Sequence, residues 1–400
     1  MNPVHTMTEG QLVEALEALF AEGSEAARRR EQGAFDEAAH PLNGGLVLFG
    51  AGNLGRKTLQ GLRKHGQEPL AFADNEPRLW GTQVDGVTVL SPQEAASRYG
   101  ATAVFVLTIW RGEGTDRMPD RIAQVRALGC ERVIPFTLLF WKHAEAFLPH
   151  YLVDLPHRVI NQREAVLAAA RLWADGPSRV EFLAQIRLRL LADFALPEPV
   201  AHEIYFPEDL FALAPDEVFI DCGAFDGDTL RRYLARYPDF AGQFHTFEPD
   251  PKNFAALEAW AAAQAPPLRD RIRVYPYAVG ASRKKVRFDA TGTEAAAVGS
   301  GSLEVECVAL DEVLAGTTPT YLKMDVEGSE PAGITGAKGI LQKHAPALAL
   351  CIYHRQNHLW AVPNLVQAAN PGAYCFFLRP HLLEGWDTVC YAVPAQRLNA

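Results

Sequence analysis

The sequence predicts an α/β protein built from two doubly wound Rossmann-like domains joined by a helical connector. Three observations lead to this prediction. The chain has 400 residues, which is too long for one ordinary core. Short apolar runs alternate with helix-like segments, which is the pattern of parallel sheets covered on both faces. A strand, a glycine-rich turn, a helix, a second strand and an acid follow one another twice along the chain.

Changes in pattern divide the chain into four predicted parts. Residues 1–40 form an N-terminal helical arm, and residues 41–140 form a Rossmann-like domain of the nucleotide-binding type. Residues 141–206 contain helical runs without strand-like ones, and turn residues at 175–178 separate two of the helices, so we interpret this stretch as the connector. Residues 207–400 carry the second strand–helix series and form the second domain.

The composition is that of a globular protein, with 48% hydrophobic and 22% charged residues. A net charge of −10 and a pI near 5.7 argue against a nucleic-acid partner, because a polyanion would be repelled. The sequence shows no signal-peptide pattern and no apolar run of the roughly 20 residues that a membrane span needs. Its six cysteines are scattered, which is typical of a reducing compartment. We therefore expect a soluble cytoplasmic protein without a membrane span; self-association into a homo-oligomer stays open.

The first glycine turn (residues 50–55) follows an apolar run and fits the G-x-G-x-x-G pattern. An aspartate ends the next strand-like run 19 residues after the last glycine, and such an acid can bind a ribose. The turn contains no acid and is followed by Arg56 and Lys57, which suits a phosphate at the helix N-terminus. The alternative is a turn that only closes a strand against a helix. The candidate nucleotide-binding residues are Gly50, Gly52, Asn53, Leu54, Gly55 and Asp74.

The second glycine turn begins at Asp221 and carries two further carboxylates, Asp226 and Asp228. Glu248 ends the following strand-like run, 21 residues after Gly227. Three acids repel a pyrophosphate, but they suit S-adenosylmethionine, which has no phosphate and carries an ammonium and a sulfonium. The sequence therefore predicts S-adenosylmethionine as the cofactor of the second domain.

Five motifs of the second half occur in an order that resembles the FkbM family of methyltransferases. They lie at residues 219–227, 247–250, 278–280, 310–312 and 322–330, and the Lys-x-Asp-x-Glu-Gly-x-Glu stretch of the last one is the most distinctive. The resemblance extends over nearly all of residues 207–394. It implies a class I methyltransferase fold and an O-methyltransferase, since the family generally methylates hydroxyl oxygens, often on sugars of glycans or glycosylated natural products. The sequence departs from the family before His354, where a Glu two residues ahead of the His is more usual.

The cofactor is expected beyond the carboxyl ends of the strands, at the second glycine turn. The acid that closes the second strand would hold the ribose, and the later motifs would line the rest of the site. The candidate cofactor-binding residues are Asp221, Gly223, Ala224, Phe225, Asp226, Gly227, Glu248, Pro249, Ala278, Val279 and Asp325.

Two strand-like runs would bring acid–base groups to the same edge of this sheet. The run 320–324 is followed by Asp325 and Glu327, and the run 346–353 is followed by His354. Methyl transfer to an alcohol is an in-line displacement in which the hydroxyl proton must be removed at or before attack. Our hypothesis is that His354 or Asp325 is the general base, with His354 favoured because the ordinary pKa of a histidine lies near working pH.

Lys323 and Glu327 complete the candidate catalytic set, with Lys323 orienting a carboxylate or stabilising the developing alkoxide. Alternatively, Lys323 and Glu327 form a salt bridge that holds the strand end, and Asp325 contacts the cofactor or a divalent metal. His354 and His358 have the spacing of zinc-binding helices, but no catalytic glutamate lies between them as in H-E-x-x-H. We therefore predict no metal site.

Three short stretches of the first half, residues 50–52, 72–75 and 81–87, are similar to the N-terminal nucleotide-sugar-binding domain of bacterial sugar acyltransferases. The similarity implies that this domain binds a nucleotide or nucleotide-sugar, or docks the carrier of the substrate. Two other function classes stay open. One is a bifunctional chain whose first domain is a nicotinamide-dependent oxidoreductase or a sugar-nucleotide modifier, and the other is a binding protein with a degenerate methyltransferase domain.

A stretch rich in small residues, 291–302, interrupts the second domain between two strand-like runs. We interpret it as a hairpin-like insertion with a mobile tip that acts as a lid over the acceptor. Trp360 and Trp386 are candidates for stacking on a sugar, although aromatic side chains more often belong to the core.

Overall fold

The structure, a computed structural model, describes residues 7–42, 44–290, 297–299 and 301–399. Within these ranges the chain forms an N-terminal helical arm, two mainly parallel sheets interleaved with helices, and a group of helices between the two sheets. The α/β fold predicted from the sequence is thus confirmed. None of the described helices is long and apolar enough to cross a membrane.

The arm and the first sheet occupy the N-terminal third of the chain. Their elements are α1 (Glu9–Phe20), α2 (Ser24–Ala39), β1 (Leu46–Phe49), α3 (Asn53–Lys64), β2 (Ala71–Ala73), β3 (Gln83–Val84), β4 (Val87–Leu90), α4 (Pro92–Tyr99), β5 (Val104–Leu107), α5 (Met118–Ala127) and β6 (Arg132–Pro135). The described strands form a six-stranded sheet of order β3-β4-β2-β1-β5-β6, in which β3 is antiparallel and the others are parallel. All four residues of β1 are buried, as expected for a strand covered on both faces.

The connector is helical, and its first helix begins at residue 136, before the predicted boundary at residue 141. It contains α6 (Phe136–Lys142), α7 (Ala144–Phe147), α8 (Pro156–Ile160), α9 (Arg163–Ala170) and α10 (Gly176–Leu191). The arm packs on it: α1 contacts α9 and α10, and α2 contacts α6 and α8. Leu12 and Leu16 of α1 are fully buried in the apolar core that also contains Ile220 of the second domain. Because these helices share one core with the second sheet, the arm is part of the folded body.

The second sheet and its helices occupy the rest of the chain. Their elements are β7 (Val218–Cys222), α11 (Asp228–Arg236), β8 (Gln243–Phe247), α12 (Pro251–Ala262), α13 (Leu268–Arg271), β9 (Ile272–Tyr275), β10 (Ala278–Val279), β11 (Lys284–Asp289), β12 (Ala297–Val298), β13 (Leu303–Val308), α14 (Leu310–Val313), β14 (Tyr321–Met324), α15 (Glu330–Gly336), α16 (Lys338–His344), β15 (Ala347–Cys351), α17 (His358–Ala369), β16 (Cys375–Pro380) and β17 (Thr388–Val393). The described strands form a seven-stranded sheet of order β16-β17-β15-β14-β7-β8-β9. Since β7, β8, β14 and β15 are parallel neighbours, their carboxyl ends meet at one edge.

The insertion between β10 and α14 builds a small separate sheet. β11 runs antiparallel to β13, which agrees with the hairpin interpretation, and β12 pairs with the far end of β11. Most of the predicted mobile tip, residues 291–296 and 300, lies outside the described residues. Phe288 and Val298, from the described part of the insertion, line the cleft of the second domain; the role of the insertion as a lid stays a prediction.

A buried ion pair joins the two domains. Arg121 of α5 contacts Glu384 Oε2 at 3.0 Å, and both side chains are 1% exposed. Glu384 also accepts the backbone N–H of Met118 through its carboxylate, while its carbonyl oxygen accepts the indole N–H of Trp110. Both partners of this pair are satisfied, so it fixes the β5–α5 segment of the first domain against the C-terminal hairpin of the second.

Candidate active site

The second glycine turn connects β7 to α11, as the motif predicts. Gly223 has φ 79°, and a Cβ there would lie 1.8 Å from the carbonyl oxygen of Asp325. Gly227 is left-handed and forms the N-cap of α11. Glycine at residue 223 therefore lets the turn lie directly against the end of β14, which brings two strand ends into one site.

Glu248, at the end of β8, fixes the turn from the side. One carboxylate oxygen accepts the N–H of Phe225 at 2.9 Å and the other accepts the N–H of Asp250 at 2.9 Å. Each oxygen keeps acceptor capacity beyond these bonds. Burial raises the pKa of Glu248 to about 7, although the two backbone hydrogen bonds lower it in part. The residue thus combines a fixed geometry with an acceptor that faces the cleft.

A cleft of about 700 Å³ opens over the carboxyl edge of the second sheet. Several predicted cofactor-binding residues line it, namely Gly223, Phe225, Glu248, Pro249, Ala278, Val279 and Asp325. The predicted catalytic residues Lys323 and Glu327 line it as well. Ala224, Asp226 and Gly227 belong to the turn but are not among the lining residues, and Asp226 forms an ion pair with Arg231 at 2.6 Å.

Asp221 lies beneath the turn and not in the cleft lining. It is fully buried, and its Oδ1 lies 3.0 Å from Lys323 Nζ on the neighbouring strand. Lys323 also donates to the carbonyl oxygen of Gly223 at 2.6 Å. Burial lowers the pKa of Lys323, but Asp221 and Asp325 outweigh it and hold that pKa above the ordinary value. Among the described residues the ion pair of Lys323 is with Asp221, so the alternative pair of Lys323 with Glu327 is not formed.

The loop after β14 is organised by Glu330, which the sequence analysis placed in a motif but did not single out. Its carboxylate accepts the backbone N–H groups of Val326 and Gly328. It also contacts His354 Nδ1 at 2.7 Å and His358 Nδ1 at 3.0 Å. The i, i+4 spacing of these two histidines therefore serves a buried carboxylate. Burial raises the pKa of Glu330, but the two imidazoles outweigh it and hold that pKa well below its ordinary value.

His354 is buried behind the carboxylates of the cleft. Its Nε2 lies 3.4 Å from Asp325 Oδ1 and 3.4 Å from Glu327 Oε1. Burial lowers the pKa of His354, but Glu330 and Glu327 outweigh it and hold that pKa well above the ordinary value. The predicted catalytic residues Asp325, Glu327 and His354 thus come together as one cluster, and Tyr205 donates to the second oxygen of Asp325 at 2.7 Å.

The opposite wall of the cleft comes from other parts of the chain; of its aromatic residues the sequence predicted only Trp386, as a candidate for stacking on a sugar. Trp110 and the following residues to Glu113, at the end of β5 in the first domain, line the cleft together with Tyr151 of the connector and Trp386. The ring centroids of Trp110 and Trp386 lie 4.7 Å apart, and those of Tyr151 and Trp386 lie 4.8 Å apart. Trp360, the other candidate for stacking, is fully buried in the core. The sequence signal that could have indicated Trp110 is its position shortly after the end of β5.

The first glycine turn connects β1 to α3, and its aspartate contacts it directly. Asp74 Oδ2 accepts the N–H of Ala51 at 2.7 Å, and Oδ1 accepts the N–H of Glu76 at 2.9 Å. The two cations that follow the turn point to protein groups: Arg56 lies 3.8 Å from Asp85, and Lys57 Nζ lies 2.9 Å from His150 Nδ1. Helix α3 begins at Asn53 with Gly52 as its N-cap, so Leu54 and Gly55 lie in its first turn. None of residues 50–55 lines the large cleft.

The second half of the chain is similar to known methyltransferases. Residues 221–370 match the family model described as the methyltransferase FkbM domain. A crystal structure of methyltransferase FkbM from Methylobacillus flagellatus KT has the same fold, with a TM-score of 0.73 and 21% sequence identity over 96% of this chain and 98% of that chain. No curated protein matches the chain. The matched segment contains Glu248, Asp325 and His354. The chain therefore carries a methyltransferase domain, and the shared fold extends over both halves; the likeness of the first half to sugar acyltransferases stays a prediction.

Proposed function

We propose that the protein is an S-adenosylmethionine-dependent O-methyltransferase that acts on a hydroxyl of a sugar, glycoconjugate or related natural product. One observation carries the proposal. A single cleft brings together Glu248, the acid proposed to bind the ribose, a cluster of titratable groups at Asp325, and an aromatic wall that includes Trp386. These are the parts needed to hold a methyl donor and an alcohol face to face.

The residues of the cleft fit S-adenosylmethionine. Bound there, this cofactor would supply an electrophilic methyl group on a sulfonium centre. Glu248 has acceptor capacity for two ribose hydroxyls, and its backbone hydrogen bonds hold it in place for them. Acidic side chains outnumber basic ones among the described lining residues, which suits an ammonium and a sulfonium and disfavours a pyrophosphate. Lys323, at the floor of the cleft, and the lining residues Arg111 and Arg232 are the described cations near a carboxylate of the cofactor.

The group that receives the proton of the acceptor hydroxyl belongs, in this proposal, to the cluster at the end of β14. His354 was the favoured base, but its raised pKa means that the imidazole holds its proton at neutral pH in the protein alone. The carboxylate of Asp325 lines the cleft and is positioned by Tyr205, so we now favour Asp325 as the group that receives the proton. Lys323 lies close enough to the turn to stabilise negative charge near the cofactor end of the cleft.

The aromatic wall supports a sugar acceptor. Trp110, Tyr151 and Trp386 line one side of the cleft and contact one another. Flat aromatic rings next to carboxylates and arginines form a surface on which the C–H face of a sugar can pack while its hydroxyls hydrogen-bond. Because Trp110 belongs to the first domain, the proposed acceptor site is shared between the two domains.

The experiment is a calorimetric titration with S-adenosylhomocysteine, followed by transfer of labelled methyl groups to a panel of sugars and glycoconjugates. We expect wild type to bind the product and to methylate at least one acceptor. Trp386→Ala should raise the acceptor KM by about tenfold, the equivalent of one aromatic contact, and should leave the affinity for S-adenosylhomocysteine unchanged. Trp80→Ala, on the surface of the first domain, is the matched control and should change neither.

The titration alone can refute the cofactor assignment. If wild type does not bind S-adenosylhomocysteine at millimolar concentration, the methyltransferase proposal is wrong. If it binds and no hydroxyl compound is methylated, the binding-protein alternative gains and the O-methyltransferase assignment loses its support.

A further inference from the structure

Three side-chain atoms that can bind a metal ion converge at the floor of the cleft, and a cation there would take the place of the proton on His354 Nε2. His354 Nε2 lies 3.4 Å from both Asp325 Oδ1 and Glu327 Oε1, and the three atoms lie within 4.8 Å of one another. His354 is only 3% exposed. Among the described residues, neither its Nε2 nor Asp325 Oδ1 has a hydrogen-bond partner. Buried polar atoms that meet in this way are costly unless a further group satisfies them.

Two further hydrogen bonds orient the side chains of His354 and Asp325 so that Nε2 and Oδ1 face each other. Glu330 contacts His354 Nδ1 at 2.7 Å, which directs the ring and leaves Nε2 for the cluster. Tyr205, itself buried, donates to Asp325 Oδ2 at 2.7 Å and leaves Oδ1 for the cluster. In metal sites, a histidine ligand usually donates from its second ring nitrogen to a carboxylate, and a carboxylate ligand usually accepts a hydrogen bond on its second oxygen.

The spacing also fits a metal ion. Two donors that are 3.4 Å apart, each bonded to a cation at about 2.1 Å, subtend an angle of about 108° at the ion, close to tetrahedral. Both His354 spacings therefore fit a shared ion, and the two carboxylate oxygens, which lie within 4.8 Å of each other, must come within about 4.2 Å to bind it together. Asp325 and Glu327 line the cleft, so the remaining coordination positions would face the space assigned to the acceptor.

We propose that Asp325, Glu327 and His354 bind a divalent cation of the Mn²⁺ or Zn²⁺ type. Two carboxylate oxygens with one imidazole nitrogen suit these ions better than Ca²⁺, which prefers oxygen ligands alone. This departs from the sequence prediction of no metal site, which considered His354 with His358; the structure turns both of those histidines toward Glu330.

The catalytic role of the ion rests on the proposed function, whereas the binding of the ion to the protein does not depend on it. A carboxylate is a weak base for an alcohol. An acceptor hydroxyl on the cation would be more acidic and fixed in position, and its proton would pass to Asp325 Oδ2, which keeps a lone pair beside the hydrogen bond from Tyr205 while Oδ1 binds the cation. The proposal thus makes the acceptor a ligand of the ion, which favours sugars with a hydroxyl free to coordinate.

The test is metal titration of the whole protein after chelator treatment. A second group of donors, His65, His143 and Glu145, lies at the surface, so every titration uses the His65→Ala background, which disables that group. Free Mn²⁺ is followed by its electron paramagnetic resonance signal, and Zn²⁺ is titrated separately by calorimetry. We expect one ion per chain. Glu327→Gln, which keeps the size of a partly exposed side chain, should weaken binding at least tenfold, and Glu330→Gln should weaken it about 10–100-fold through the orientation of His354.

Two results would overturn the proposal: no binding of either ion in the His65→Ala background, or a loss of less than tenfold in Glu327→Gln. The same samples are titrated with S-adenosylhomocysteine, which shows that the variant is folded. Binding of S-adenosylhomocysteine without metal binding refutes only the cation site. Metal binding without S-adenosylhomocysteine refutes the proposed function and leaves the cation site intact.

Discussion

The two glycine turns share one backbone plan, and each is fixed by the acid at the end of the following strand. In the first turn, Asp74 accepts the N–H of Ala51 at 2.7 Å; in the second, Glu248 accepts the N–H of Phe225 at 2.9 Å. In both cases the acid uses a backbone donor that a pyrophosphate would otherwise need. The shared bond therefore suits a ligand without phosphate in either turn, and it cannot by itself explain a difference in function.

The difference lies beneath the turns. At equivalent positions of the two sheets, Leu48 pairs with Val106 and Asp221 pairs with Lys323. All four side chains are buried, but the first pair is apolar and the second is an ion pair at 3.0 Å. The first turn therefore rests on a hydrophobic floor, whereas the second rests on charges that reach the cleft through Lys323.

The strand ends next to the turns differ in the same way. After β14 comes Asp325, which faces the cleft; after β5 comes Thr108, whose hydroxyl donates to the carbonyl oxygen of Gly50 at 2.8 Å. Ile109 then packs against Gly50, since a Cβ on that glycine would lie 2.5 Å from its Cγ1. From Trp110 the chain continues into the cleft of the other domain. One fold plan thus produces a candidate site in one half and a wall of that site in the other.

The largest expected effect is a loss of cofactor affinity on substitution of Glu248 but not of Asp74. Glu248→Ala removes the acceptor proposed for two ribose hydroxyls; at about 1.5–3 kcal/mol for each hydrogen bond to a charged group, the affinity for S-adenosylhomocysteine should fall by about 10²–10⁴-fold. Asp74→Ala is the matched control in the first turn and should leave this affinity unchanged while lowering thermal stability. Calorimetric titration measures both, and equal losses in the two variants would contradict the comparison.

The parts of the fold and site that depend on local sequence could be predicted. Both glycine turns, the acids that follow them and the convergence of Asp325 with His354 follow from parallel strands with short connections. The partner of Lys323 could not be predicted, because the alternative with Glu327 has a plausible spacing and only the register of β14 on β7 places Asp221 beside it.

Trp386 was a candidate for stacking on a sugar, but the aromatic wall as a whole could not be predicted, for a different reason. Trp110 and Trp386 are far apart in the chain, and their contact depends on how the two domains pack around Arg121 and Glu384. No periodicity or motif carries that information. The role of Glu330 was missed although its motif was recognised, because a buried acid that orients two histidines looks in sequence like any other acid of the motif.

The second prediction replaces the buried ion pair Asp221–Lys323 by apolar residues, as at Leu48–Val106 in the first domain. Lys323→Met alone should lower the free energy of unfolding by up to about 3–5 kcal/mol, since Asp221, whose pKa burial already raises to about 6, is left buried without its cation and must stay charged or take up a proton. The double variant Asp221→Leu with Lys323→Met should recover most of this loss, because an apolar pair of similar size can replace a buried ion pair. Denaturant unfolding measures both. If the double variant is as unstable as the single one, the ion pair is not what holds this floor.

The third prediction concerns pH. Burial raises the pKa of Glu248 to about 7, and only its ionised form accepts hydrogen bonds from both ribose hydroxyls. As pH falls through 7 the carboxyl takes up a proton, so the affinity for S-adenosylhomocysteine should decrease, approaching tenfold for each pH unit well below the pKa. Titrations between pH 5.5 and 8.5 test this. Glu248→Gln should bind weakly with a flatter pH profile, and an unchanged profile in that variant would assign the titration to another group.

The smallest expected effect is at Gly52 of the first turn. Its φ is −76°, and no atom lies within 4 Å of a Cβ placed there, so Gly52→Ala should change the free energy of unfolding by no more than about 0.5 kcal/mol. In nucleotide-binding turns this second glycine lets the backbone approach the phosphates, and an added methyl group blocks them. Because Asp74 already uses the donor of Ala51 and both nearby cations contact other groups, we expect ADP, a nucleotide-sugar and NADH to leave the melting temperature of wild type and of Gly52→Ala unchanged. Stabilisation of wild type that disappears in Gly52→Ala would instead make the first turn a nucleotide site and the protein bifunctional.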